Sequence, residues 1–244
     1  MKIGIDARLI NQTGVGRYIK NLIDNLDEID QKNEYVLFAR RQDLNEFSKI
    51  KAENEKWKIV IVDIAWHSFK EQTKFINVLN KEHLDLVHFP YFSIPVFYNK
   101  PFIVTIHDLI LHHFPTGEAS TLPSPIYWSK ILAYKYVISS AAKKAKKIIA
   151  VSNSTKDEIV DHLKIDPNKI EVIYEGVDKQ LTINNLPAGK AGSQLTKSTN
   201  NEKFFLFVGN VYPHKNTDVL INSFEKLIDQ EKDARLIFVG KEDH

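Results

Sequence analysis

Two stretches carry residue types that could do chemistry on a polar or anionic ligand. "FIVTIHDLILHHFPTG" (102–117) sets His107 and Asp108 at the end of an apolar run. An imidazole beside an acid can donate a hydrogen bond to a substrate hydroxyl or stabilise developing charge. Open α/β sheets bind ligands at the carboxyl ends of their strands. The alternative is that Asp108 caps the next turn and His107 is structural. "INQTGVGRYI" (10–19) places Gly14, Gly16 and Arg17 after the apolar run "KIGID". In the first turn of a helix, free amides and the dipole favour an anion. Missing side chains admit a ligand to the backbone, and Arg17 adds a cation. The alternative is a turn that only releases the chain into a helix; these residues leave both readings open.

Other chemistries fit less well. A dinucleotide fingerprint needs G-x-G-x-x-G at a tight strand-to-helix turn and an acid after the second strand. Here the third glycine position is Ile19, the turn from Asp6 is long, and the second strand ends in Arg40 and Arg41. His112 and His113 invite a metal reading with His107 and Asp108. Adjacent histidines on an irregular segment point apart, so no metal is expected. No D-x-D pair stands at a strand end to hold a divalent cation on a diphosphate. The helix-like "YWSKILAYKYVISSAAKKAKK" (127–147) shows an apolar face from Trp128, Ile131, Leu132 and Tyr136 and ends in Lys143, Lys144, Lys146 and Lys147. Those lysines complement the helix dipole; the other reading is contact with an anionic membrane.

These residues need a scaffold of alternating elements. Short Ile- and Val-rich runs at 2–6, 35–39, 58–63, 85–89, 102–107, 147–152 and 169–174 read as strands buried on both faces. Helical spacing fills 14–27, where Val15, Ile19, Leu22, Ile23 and Leu26 share a face, and recurs at 67–82, 125–146 and 154–164. The last opens with Ser154 or Thr155 and an acid three residues on, a capping-box start. The alternation predicts an α/β, Rossmann-like parallel sheet with helices on both faces. Residues 179–202 are rich in Asn, Gly, Ser, Thr and Lys and read as a linker. A second βαβ unit follows: "FFLFVG" (204–209), a helix over 216–230 and "RLIFVG" (235–240). The domains expected are thus 1–178, a linker over 179–202, and 203–244 as the start of a second Rossmann-like unit.

Composition is that of a globular chain. Its 244 residues hold 33 Lys+Arg against 31 Asp+Glu and no cysteine, so no disulfide framework, thiolate metal site or thiol nucleophile exists. A balance of +2 gives no pull toward nucleic acid, and none is expected as a partner. No apolar run reaches membrane-spanning length and "MKIGIDARLI" lacks a secretory core. A cytoplasmic location is expected, peripheral at the inner membrane face if the basic helix binds lipid.

Taken together, "IGIDARLINQTGVGRYIKNLI", "TIHDLILHHFP", "KIIAVSNSTKDEIVDHLKIDPNKIEVIYEGVD", "FLFVGNVYPHKNTDVLINSFEKL" and "RLIFVGK" resemble the GT-B glycosyltransferases of family 4, the group 1 retaining transferases. The resemblance runs through the whole chain. It implies a first domain that binds the acceptor, a second that binds a nucleotide-sugar, and retaining transfer to a glycan or lipid-linked acceptor. No cofactor or metal is implied, the nucleotide-sugar being a co-substrate. By position, His107 would contact the transferred sugar as the catalytic histidine. Gly14 and Gly16 would approach the donor diphosphate, and Lys215 would neutralise it, with charge stabilisation greatest in the transition state. Arg17 and Asp108 are the polar substrate contacts expected. Asn210 stands where many members carry an arginine, leaving one cation fewer for the diphosphate. The resemblance also implies that the chain ends inside the second domain, so weak or no transfer is expected of it alone. A binding module without catalysis and a nucleotide-sugar epimerase are the rival expectations.

Overall fold

The computed structural model describes residues 1–48, 56–113, 124–176 and 203–240. The chain divides into two compact units, one of Met1–Leu109 with Ser129–Gly176, the other of Ile110–Trp128 with Val177–His244. The stretch read as a linker, 179–202, lies outside the described residues.

Among the described residues, seven strands build the first unit: β1 (Lys2–Asp6), β2 (Glu34–Ala39), β3 (Trp57–Ile61), β4 (Leu86–Phe89), β5 (Phe102–Ile106), β6 (Lys147–Ala150) and β7 (Ile170–Val172). They pair in the order β3-β2-β1-β4-β5-β6-β7, and every pair is parallel. The order reverses direction at β1, which pairs with both β2 and β4. Parallel pairing brings all seven carboxyl ends to one edge, and the reversal opens a crevice there.

The strands alternate between two apolar layers. Tyr35, Leu37 and Ala39 of β2 join Ile5, Ile19 and Ile23 on the side of helix α1 (Thr13–Ile29). Val36 and Phe38 join Phe75, Leu79, Ile138 and Ile159 on the other. That side is built by a π-turn at Glu71–Phe75 leading into α2 (Ile76–Lys81), and by the later helices. A four-residue helix α3 (Ile110–His113) follows β5. Helix α4 spans Ser124–Lys144 and α5 spans Asn153–Leu163.

Two expectations are corrected. The cap of α5 is Ser152, whose Oγ accepts from the Thr155 amide at 3.1 Å, so the helix starts before Ser154. On α4, Ile131 is buried with Tyr134, Ile138, Ala141 and Ala142, whereas Trp128, Leu132 and Tyr136 are exposed. Small alanines let the helix lie close to its neighbours, so the larger side chains of the adjacent stripe remain outside.

In the second unit, β8 (Phe204–Val208) and β9 (Arg235–Val239) pair in parallel across helix α6 (Thr217–Ile228). Phe205 packs edge-on against Phe224 of α6.

Candidate active site

His107 immediately follows β5 at the carboxyl edge. Its Nε2 lies 2.9 Å from the Pro90 carbonyl oxygen and its Nδ1 lies 3.0 Å from Glu175 Oε1. Both partners are acceptors, so the ring satisfies both bonds only when each nitrogen carries a hydrogen. The Thr155 hydroxyl donates to the His107 carbonyl at 3.1 Å, tying the residue to the first turn of α5. Edge-on against the ring, 5.1 Å between centroids, stands Tyr18 of α1. Tyr18 Oη, Thr105 Oγ1 and His88 Nε2 form a chain with links of 3.0 and 2.8 Å. Full burial and the nearby His107 push the His88 imidazole down to about 4, and burial raises the Tyr18 phenol.

The opening loop separates its two glycines. A Cβ on Gly16 would stand 2.3 Å from the Ile10 carbonyl oxygen, so glycine is required there by packing. The Gly16 amide is also spent, donating to Gln12 O at 2.6 Å. The expectation of a free amide at Gly16 is therefore corrected. Gly14 is exposed and a Cβ there would meet nothing within 4 Å. With Gln12 as N-cap, its amide is among those that no helical carbonyl can reach. Arg17 is exposed on α1, and Tyr18 is the residue of that turn that touches His107.

Asp108 is exposed, and its charge helps burial to raise the phenols of Tyr91 and Tyr134. His112 and His113 lie on α3; among the described residues no group of three potential metal ligands is gathered. Lys215 closes a short 3-10 turn, Pro213–Lys215, and is exposed. Asn210 lies in the loop after β8. Both belong to the second unit and are described within it alone.

The same carboxyl edge holds an ionic cluster at the end of β1. Arg8, almost fully buried, binds Asp6 through Nε (2.8 Å) and Nη2 (2.6 Å), and reaches Glu71 Oε1 at 2.6 Å. Its Nη1 donates to the Ile64 carbonyl at 3.2 Å, and the guanidinium lies 4.0 Å from the Phe75 ring centroid. Glu71 Oε2 accepts from the His67 amide at 3.0 Å and from Ser93 Oγ at 2.8 Å. Burial raises Glu71, while Arg8 and the Ser93 hydroxyl pull it back.

Glu175, Tyr18, Tyr91 and this cluster went unread in the sequence. "KIGIDAR" ends a strand with an acid and an arginine two apart, which was a usable signal. The partners Glu71 and Glu175 lie 63 and 68 residues away from Arg8 and His107 and had none.

Known proteins resemble this chain in sequence and in fold. Residues 12–181 match Glycosyltransferase Family 4, and residues 193–244 match Glycosyl transferases group 1. Over 163 residues the chain is 25% identical to O-antigen chain mannosyltransferase RfbU of Salmonella typhimurium, covering 67% of this chain and 38% of that protein. The crystal structure of WaaG, a glycosyltransferase involved in lipopolysaccharide biosynthesis, aligns with a TM-score of 0.59 at 11% identity, over 99% of this chain and 64% of that one. UDP-GlcNAc 2-epimerase from Neisseria meningitidis, bound to UDP-GlcNAc, aligns at 0.51 and 13%, over 99% and 66%. At such identities the structures speak for the fold alone. The chain spans between 29% and 56% of the length of the curated relatives it matches. Since the first match covers most of its 244 residues, the chain belongs to Glycosyltransferase Family 4, the group 1 glycosyltransferases of GT-B fold.

Proposed function

We propose that the protein transfers a sugar from a nucleotide-sugar to a glycan or lipid-linked acceptor, with retention of configuration and without a metal ion. The observation that supports it most is the position of His107 at the carboxyl edge, held by Pro90, Glu175 and Tyr18, within a chain that matches both halves of the family in order. In this reading the bond from the anomeric carbon to the diphosphate breaks and the acceptor oxygen bonds to that carbon. The hydroxyl proton leaves with the diphosphate. His107 contacts the transferred sugar and the open Gly14 turn approaches the diphosphate; within the second unit, Lys215 and Asn210 are the donor-binding residues. Arg17 and Asp108 supply polar substrate contacts.

The test is a transfer assay with UDP- and GDP-sugars against octyl glycosides and undecaprenyl-diphosphate-linked GlcNAc. Product with retained configuration, unchanged by EDTA and reduced about a hundredfold or more in His107→Ala, is expected. Isomerised nucleotide-sugar formed without any acceptor would establish the epimerase reading instead. Glycoside binding without turnover or donor binding would establish a binding module.

The exposed Trp128, Leu132 and Tyr136 recur one turn apart on α4, with Lys135 exposed among them. We propose that this stripe rests on an anionic membrane at its cytoplasmic face, since aromatic and basic groups together favour that interface. Among the described residues no helix is long and apolar enough to cross a membrane. Sedimentation with phosphatidylglycerol vesicles should carry the protein down, and Trp128→Ala with Leu132→Ala should release it. Equal sedimentation of that double variant would remove the proposal.

A further inference from the structure

His67 stands in the loop between β3 and α2 and carries a backbone φ of 57°. That left-handed conformation costs a histidine energy and persists only where the surroundings impose it. Here the surroundings are identifiable. The His67 amide is held by Glu71, Glu71 is held by Arg8, and Arg8 is held by Asp6 at the end of β1. The ring lies 5.5 Å from that of Phe92 and 6.1 Å from that of Tyr91. Tyr91 is in turn 6.4 Å from His107, so one tyrosine is flanked by both histidines at the carboxyl edge.

The hydrogens along this cluster can be assigned. Glu71 receives three donors, the Arg8 guanidinium, the His67 amide and Ser93 Oγ, which is the pattern of an ionised carboxylate. The Ser93 hydroxyl therefore spends its proton on Glu71. Its remaining contact, His67 Nδ1 at 3.3 Å, must then be one in which Nδ1–H donates and Ser93 accepts. In the neutral ring the lone pair is left on Nε2, which has no hydrogen-bond partner among the described residues. Crowding by its neighbours and the cations of Arg8 and Lys130 hold the His67 imidazole below its usual range, which favours that neutral ring. Yet His67 remains exposed to solvent.

A fully buried arginine, a buried glutamate and a buried serine are thus spent on presenting one acceptor nitrogen, with the Tyr91 ring between it and His107 as their common neighbour. We propose that His67 is an acceptor-contact residue whose Nε2 receives a hydrogen bond from a hydroxyl of the acceptor sugar, with Arg8, Glu71 and Ser93 as positioning residues. The assignment rests on the glycosyl-transfer reading and names which loop of the first unit recognises the acceptor.

The experiment is nitrogen NMR of the full chain with ¹⁵N-labelled histidine, first free and then with octyl glycosides of mannose, galactose and N-acetylglucosamine, and separately with UDP-sugars. The free protein should show His67 as the Nδ1–H form, and Ser93→Ala should convert it to a mixture of both forms. One of the glycosides should shift His67 Nε2, and UDP-sugars alone should not. His67→Gly, which suits the positive φ, should keep the melting temperature while weakening glycoside binding about tenfold. An Nε2–H form in the free protein, no shift with any glycoside, or a shift with UDP-sugar alone would overturn the proposal. Glycoside shifts at His107 but not at His67 would do so while leaving glycosyl transfer standing. Conversely, a protein that shifts His67 with a glycoside yet fails every transfer assay would retain this site and lose the proposed activity.

Discussion

His88 is the residue at which the site and the stability of the fold meet. It is buried, bonded to Thr105, and its imidazole is pushed down to about 4 from 6.5. The folded protein therefore refuses a proton that the unfolded chain accepts between those values. This stability is fully present above pH 6.5 and is lost as the pH falls toward 4, by about 3 kcal/mol in all. Urea unfolding from pH 7.5 to 4 should show that loss in the wild type. His88→Gln keeps a donor toward Thr105 and should lose about 3 kcal/mol less over the same range. Equal pH slopes in the two proteins would show that His88 is not the group responsible. His107, by contrast, was legible from its place after an apolar run, because strand ends are where α/β sheets expose their polar groups. Its partner Glu175 was not, since a contact across 68 residues leaves no mark on local spacing.

At the level of elements, helix α1 tests the two meanings of a glycine. Gly16→Ala pushes a methyl group onto the Ile10 carbonyl and should cost about 1–3 kcal/mol, measured by denaturant unfolding. Gly14→Ala meets no obstacle and replaces a poor helix former by a good one, so stability should hold or rise by up to about 1 kcal/mol. If the turn lies against a diphosphate, the same Gly14→Ala should still weaken nucleotide-sugar use. A variant that is stable and fully active would assign Gly14 to the turn alone. The strands were read almost to their ends because burial on both faces writes itself as unbroken Ile and Val. Helix α4 departs from its expected face for a related reason: large apolar side chains suggest the core, but Ile138, Ala141 and Ala142 line the buried stripe and Trp128 does not. The cluster around Arg8 leaves little local signal because Asp6 and Arg8 come from the end of β1, Glu71 from the π-turn before α2 and Ser93 from the loop after β4.

For the whole molecule, the two units differ in how much sheet they close. Seven strands and two apolar layers cover the first. In the second, among the described residues, Phe204, Leu206, Val208, Ile237 and Val239 are exposed on a two-stranded sheet. A pair of strands under one helix buries too little to be firmly held. Amide hydrogen exchange should therefore protect β1, β4 and β5 far longer than β8 and β9, by a factor of about a hundred or more. Equal protection in both units would contradict this picture of separate stabilities. The recurrence of a βαβ pattern after residue 202 was legible in sequence; how little each face would be covered depended on counting strands in space.

The order β3-β2-β1-β4-β5-β6-β7 has a consequence for how the protein is made. As the chain emerges from the ribosome, the residues of β1, β2 and β3, which form one side of the sheet, are made before those of β4. The other side of β1 must wait for β4, which begins at Leu86. At ~5–20 residues per second, the strand that completes the centre of the sheet follows β1 by on the order of ten seconds. Thereafter each strand from β4 to β7 arrives in chain order beside its predecessor, so only one rim advances at a time. The crevice at the carboxyl edge is thus the seam between the strands made first and those made last.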